Sequence, residues 1–148
     1  MKLLPGDIVL IHRGTGWMIF APLVWLWQWA VGPYHVEMVW DVNPFLYADA
    51  YKAFTLQPPV LDIVWRKLTD LKIKVYRLKD RPNNMTEEFW MWGNNRLVAA
   101  HPYVLGWQTC GHPVQQFYQD IGTPCTNSHY PGAVEKFCKR SEKFVEVL

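Results

Sequence analysis

The chain contains residue types that together can attack a carbonyl group. A thiol hydrolase needs a thiolate nucleophile, an imidazole that takes and returns the proton, and a polar group that orients the imidazole. Three cysteines are present among the 148 residues, namely Cys110, Cys125 and Cys138. His35 is the candidate base, and Asp49 follows it in the next apolar run. The question is which elements bring such residues together.

A predicted hairpin places His35 beside Asp49. Residues 35–40 and 45–51 are two strand-like runs around turn residues 41–44. If Trp40 pairs with Pro44, His35 lies opposite Asp49, and directly opposed Cβ atoms are roughly 4.5 to 5.5 Å apart. A slip of one residue would bring Ala50 there instead. Glu37 shares the face of His35 and is a rival for the orienting role.

The remaining pattern predicts an α+β fold in a single domain spanning residues 1–148. Short apolar or alternating runs at 8–11, 63–65 and 73–78 predict further strands of a small antiparallel sheet. Helices are expected at 22–31, at 86–101 and at 131–139. The glycine and two asparagines at 93–95 are a point where the second helix could split.

Three stretches resemble a known family when they are taken in order. They are Gly-Asp-Ile-Val-Leu at 6–10, the apolar segment that leads through Gly-Pro-Tyr-His-Val to residue 39, and Leu-Tyr-Ala-Asp-Ala at 46–50. This order resembles the YiiX-type, circularly permuted members of the NlpC superfamily, which share it with lecithin retinol acyltransferase-like enzymes. The resemblance covers residues 5 to 51 and, loosely, the region around Cys125.

The resemblance implies a permuted papain-like fold and a cysteine hydrolase. It implies that His35 is the base, Asp49 the third polar residue and Cys125 the nucleophile, with an acyl-enzyme intermediate and no cofactor. The implied substrates are peptide-like amides, including cell-wall peptides, and lipid acyl bonds. The family places its cysteine at the start of a long helix, whereas the Pro-Gly pair at 131–132 would interrupt a helix that began at Cys125.

Several alternatives stand beside this hypothesis. The scaffold could be a catalytically silent module for binding or membrane interaction. Cys110, in Gln-Thr-Cys-Gly-His, is a second candidate nucleophile, and Cys138 falls on the apolar face of the last predicted helix. Cys110 and His112 could join Cys125 and His129 as metal ligands, but this spacing differs from common zinc modules and we expect no metal.

Composition limits the partners and the compartment. Fifteen basic and 13 acidic residues give a net charge of only +2, so nucleic acid is not an expected partner. Three cysteines, an odd number, favour a reducing, cytoplasmic location. Pro5, Gly6 and Asp7 interrupt the apolar start where a signal peptide needs a continuous core. The uncharged, Trp-rich residues 17–31 predict a buried helix, with contact to a membrane surface or an apolar substrate as the alternative. The sequence does not predict an oligomeric state.

Overall fold

The protein has an α+β fold built on one antiparallel sheet. In a computed structural model, the described residues are 2–14, 35–42, 50–57, 60–68, 71–99 and 109–148. Their strands are β1 (Ile8–Gly14), β2 (His35–Asp41), β3 (Ala50–Gln57), β4 (Val60–Lys67), β5 (Leu71–Leu78) and β6 (Phe144–Glu146). The helices are α1 (Met85–Val98), α2 (His112–Asp120) and α3 (Pro131–Arg140). The six strands lie in the order β4-β3-β2-β1-β5-β6 and all pairs are antiparallel. The predicted fold class is confirmed at this level.

The sheet buries apolar side chains on both faces because residues alternate along each strand. One face packs with the helices and contributes side chains such as Leu10, Met38 and Phe54 to the larger core cluster. The other face contributes Val9 and Val39 to a second cluster. Since His35 and Glu37 alternate with the residues of the helix-packed face, they share the face of Val39.

The predicted hairpin after β2 is wrong in its register. The predicted pairing puts Leu46 opposite Met38, whereas Met38 pairs with Phe54, and Val39 pairs with Ala53. The pairing shifts between Val39 and Asp41, where the ladder is irregular. The described part of the partner strand is Ala50–Gln57, and the residue opposite Met38 is displaced from the predicted Leu46 to Phe54.

Helix α1 continues through the glycine at which the sequence left a split open. Gly93 is buried, and a Cβ atom there would overlap the ring of Trp40 and approach Phe54. Trp40 stacks on Phe54 with ring centroids 5.4 Å apart, and Phe89 packs edge-on against both rings. The glycine therefore allows close packing of the helix on the sheet.

The other helix predictions have different outcomes. Pro131 begins α3, as the sequence predicts. Helix α2 and strand β6 were not predicted. The predicted helix at 22–31 and the Trp-rich segment that contains it lie outside the described residues. In the parts of the chain that are described, none of the helices has the length and apolar character needed to cross a bilayer.

Candidate active site

His35 is a largely buried imidazole at the beginning of β2. Only 14% of its side chain is exposed. Its Nε2 atom lies 2.7 Å from the hydroxyl of Thr55 and 3.2 Å from Oε2 of Glu37. These two groups fix the plane of the ring from one side, which is what a general base needs for reproducible proton transfer.

Glu37 is a fully buried carboxylate held by partners on β3 and β4. The Tyr51 hydroxyl donates to Oε1 at 2.6 Å, and the Arg66 guanidinium donates through Nε and Nη2 to Oε2, both at 3.2 Å. Tyr51 and Arg66 are directly opposite each other in the β3–β4 ladder. Burial alone would raise the pKa of Glu37, but His35, the Arg66 charge and the Tyr51 hydroxyl hold the pKa below its ordinary value.

Cys110 supplies the thiol of the site. It lies two residues before α2, is 7% exposed, and is close enough to His35 to influence the charge of that imidazole. Thr55 and Glu37 both contact the Nε2 atom of that imidazole. Burial works to lower the pKa of His35, but the charges of Cys110 and Glu37 and their hydrogen bonds outweigh burial and raise the pKa to about 9.

Cys110 lies close to the N-terminus of α2. A cysteine at a helix N-terminus is stabilised as the thiolate by the partial positive charge of that helix end. Helix α2 is nine residues long and begins two residues after Cys110. Backbone N–H groups near a helix start also suit a developing oxyanion. Cys110, His35 and Glu37 therefore have the chemical parts of a nucleophile, a base and an orienting carboxylate.

Cys125, the nucleophile implied by the family resemblance, lies in a different environment. It is fully buried, and its sulfur lies 3.8 Å from the carbonyl oxygen of Val114, which accepts from it. Burial, with a further contribution from Cys138, raises the pKa of the Cys125 thiol well above its ordinary value. Burial likewise raises the pKa of Cys138 to about 12. Both thiols are thus held protonated, which is the opposite of what a nucleophile requires, and Cys110 replaces Cys125 in the candidate site.

Of the two candidates for the orienting role, only Glu37 lies in the described part of the chain. Asp49 lies outside the described residues, and the hairpin register that placed it opposite His35 is wrong. Glu37, the rival on the same strand face, contacts His35. The prediction that Glu37 shares the face of His35 is therefore confirmed, and the role of Asp49 stays a prediction.

The alternative metal site is not formed. Cys110, His112, Cys125 and His129 are all described, and no group of three or more His, Cys, Asp or Glu side chains in the described ranges could hold a metal ion. His112 and His129 instead pack with ring centroids 5.2 Å apart.

The first turn of α2 contained signals that could have identified Cys110. Pro113 at an early helical position, followed by the buried set Val114, Phe117 and Tyr118, is typical of an amphipathic helix that starts just after the cysteine. Tyr51, Thr55 and Arg66 carried no such signal, because their approach to His35 depends on the strand register.

The helix start tolerates no side chain at Gly111. A Cβ atom there would overlap the backbone carbonyl of His129. We expect Gly111→Ala to lower the free energy of unfolding by about 2 kcal/mol, in the range of other overpacked sites. Urea unfolding followed by circular dichroism measures this change, and a variant as stable as the wild type would show that the contact is absent.

The raised pKa of His35 makes stability depend on pH. A group with a raised folded-state pKa binds its proton more tightly in the folded protein, so its stabilisation is full below the unfolded value of about 6.5. That stabilisation is lost as the pH rises through about 9. We expect the free energy of unfolding to fall by about 2 kcal/mol over this window. Urea titrations at several pH values across the window should show that the free energy of unfolding of His35→Gln depends less on pH than that of the wild type. Equal slopes of this free energy against pH would contradict the raised pKa.

Comparisons with known proteins leave the family open. No family model matches the chain, and neither the curated proteins nor the solved structures include a match.

Proposed function

We propose that the protein is a cysteine-dependent hydrolase or acyltransferase in which Cys110 is the nucleophile, His35 the base and Glu37 the orienting residue. The observation that carries this proposal is the setting of the His35 imidazole, whose Nε2 atom contacts Glu37 and Thr55 and whose pKa is raised by the neighbouring Cys110. Nucleophile, base and orienting residue in contact are the signature of covalent acyl-transfer catalysis.

The reaction follows from the charges of the three groups. The Cys110 thiolate attacks an amide or ester carbonyl, and the imidazolium of His35 gives its proton to the departing amine or alcohol. The carbon–heteroatom bond breaks and a thioester on Cys110 remains. Neutral His35 then takes a proton from water, or from an acceptor alcohol or amine, as that molecule attacks the thioester. Release of the acyl product restores the thiolate and the imidazolium.

The order of the elements supports a permuted papain-like assignment of the fold. The strand with the base precedes the helix with the cysteine along the chain, as in the family that residues 5–51 resemble. Cys110 lies at the start of a helix, which is where that family places its cysteine. The Pro-Gly pair at 131–132 starts α3 and therefore does not interrupt the helix that follows Cys110.

Activated esters of increasing chain length, together with an activated amide, test the proposal. We expect a burst of leaving group and an acyl adduct whose mass maps to Cys110, because the thioester accumulates when the first step is fast. Cys110→Ala should abolish both, whereas Cys125→Ala should keep them. Hydrolysis that survives in Cys110→Ala, or an adduct on Cys125, would contradict the assignment. A folded wild type with no turnover and no adduct on any ester or amide would favour the silent binding module.

A further inference from the structure

The segment between α2 and α3 runs back along α2 to the residue before the nucleophile. We call residues 122–130 the return segment. The Thr123 N–H donates to the Tyr118 carbonyl at 2.9 Å. Cys125 contacts the Val114 carbonyl, which is nearer the start of the same helix. At the end of the segment, His129 meets Thr109, which directly precedes Cys110. The motif around Cys125 thus packs along the helix that starts beside the nucleophile.

His129 and Thr109 form two hydrogen bonds that fix each other's roles. The Thr109 Oγ1 atom lies 2.8 Å from Nδ1 of His129 and donates to the His129 carbonyl oxygen at 3.2 Å. The Thr109 hydroxyl has one proton and donates it to the carbonyl oxygen. Nδ1 of His129 must therefore carry a proton and donate it to Oγ1. Both bonds then form whether the ring is neutral or charged. The contact between His129 and Thr109 therefore does not depend on the charge of the ring.

The same histidine contacts the other side of Cys110. Its backbone carbonyl lies against Gly111 so closely that no Cβ atom fits between them, and its ring packs near that of His112. Residues 109, 111 and 112 are thus all held by His129, and Cys110 is between them. The contacts restrain the backbone on both sides of the thiol.

We propose that His129 is a positioning residue that holds the Cys110 thiol against His35. This inference rests on the proposed function. It adds a residue that acts through the nucleophile's backbone and touches no reacting atom. A displaced turn would lengthen the contact between thiol and imidazole, and the thiolate would lose the imidazolium that stabilises it.

Alkylation of Cys110 by limiting iodoacetamide, followed by mass spectrometry across a pH series, tests the inference. Relative to wild type, we expect His129→Ala to slow labelling of Cys110 about tenfold at about pH 6, and to move the pH profile toward that of an ordinary thiol. His129→Asn keeps an N–H group near the position of Nδ1 and should restore most of the rate. Asn127→Ala, an exposed position in the return segment, is the matched control and should behave as wild type.

A second pair of variants decides the result if His129→Ala does not fold. Thr109→Val removes the hydroxyl and should slow labelling, whereas Thr109→Ser keeps it and should not. Profiles of His129→Ala and Thr109→Val that superimpose on the wild type would overturn the positioning role and leave the proposed function intact. In the wild type, labelling of Cys110 that is slow and no faster than labelling of the other cysteines would instead overturn the proposed function, and this inference with it.

Discussion

Replacing Glu37 by glutamine is expected to lower kcat/KM about a hundredfold at neutral pH, an effect typical of losing acid–base support. The substitution keeps the shape of the side chain and removes its charge. Burial lowers the pKa of His35 and the charge of Glu37 raises it. Without that charge, the pKa of His35 should fall from about 9 toward the ordinary value. The imidazolium that supplies the leaving-group proton would then be lost at lower pH.

The pH profile distinguishes this effect from general damage. In the wild type, activity should decline on the alkaline side near pH 9, where His35 loses its proton. In Glu37→Gln, that decline should move to lower pH, and an NMR titration of the His35 ring should move with it. Glu135→Gln is a matched control, since Glu135 is also a buried carboxylate but contacts Lys139 on α3. An alkaline limb unchanged in Glu37→Gln would show that Glu37 does not set the charge of His35.

Replacing Arg66 by leucine is expected to lower the free energy of unfolding by about 3 to 4 kcal/mol, because it leaves a buried carboxylate without its cationic partner. Glu37 is fully buried and a quarter of the Arg66 side chain is exposed. The Tyr51 hydroxyl and His35 remain as partners but do not replace the bidentate guanidinium.

Two comparisons make the Arg66 prediction specific. Arg96→Leu removes a guanidinium that pairs with Asp120, which is half exposed. This substitution should lower the free energy of unfolding by less than about 1 kcal/mol. Adding Glu37→Gln to Arg66→Leu should recover part of the stability, because no uncompensated charge is then buried. Urea unfolding at neutral pH measures all four proteins. Equal losses in Arg66→Leu and Arg96→Leu would mean that the Glu37–Arg66 pair is not buried as described.

The strand that carries His35 could be predicted from the sequence, and its partners could not. Period-two alternation placed His35 and Glu37 on one face of β2, and this is independent of any pairing. The residues that contact Glu37 come from β3 and β4, and the register of β3 against β2 differs from the one that the predicted turn gave. A slip of register changes every cross-strand neighbour, so Thr55 and Tyr51 were outside the reach of local pattern.

The choice among the three cysteines depended on a helix that was missed. Family order favoured Cys125, whereas the chemical distinction among the thiols is their environment. All three cysteines belong to the buried core, but burial raises the pKa values of Cys125 and Cys138, whereas Cys110 lies beside His35. Helix α2 is only nine residues long and has no charged residue in its first turn, so its start was weakly signalled.

The most direct test of the account is the competition among the three thiols for limiting iodoacetamide in the folded protein at about pH 6, where an ordinary thiol is almost wholly protonated. We expect Cys110 to label first, Cys125 and Cys138 to stay unmodified, and His35→Ala to slow Cys110 by at least about tenfold. Labelling of Cys125 ahead of Cys110, or a Cys110 rate that is unchanged by the loss of His35, would contradict the assignment of the nucleophile and its base.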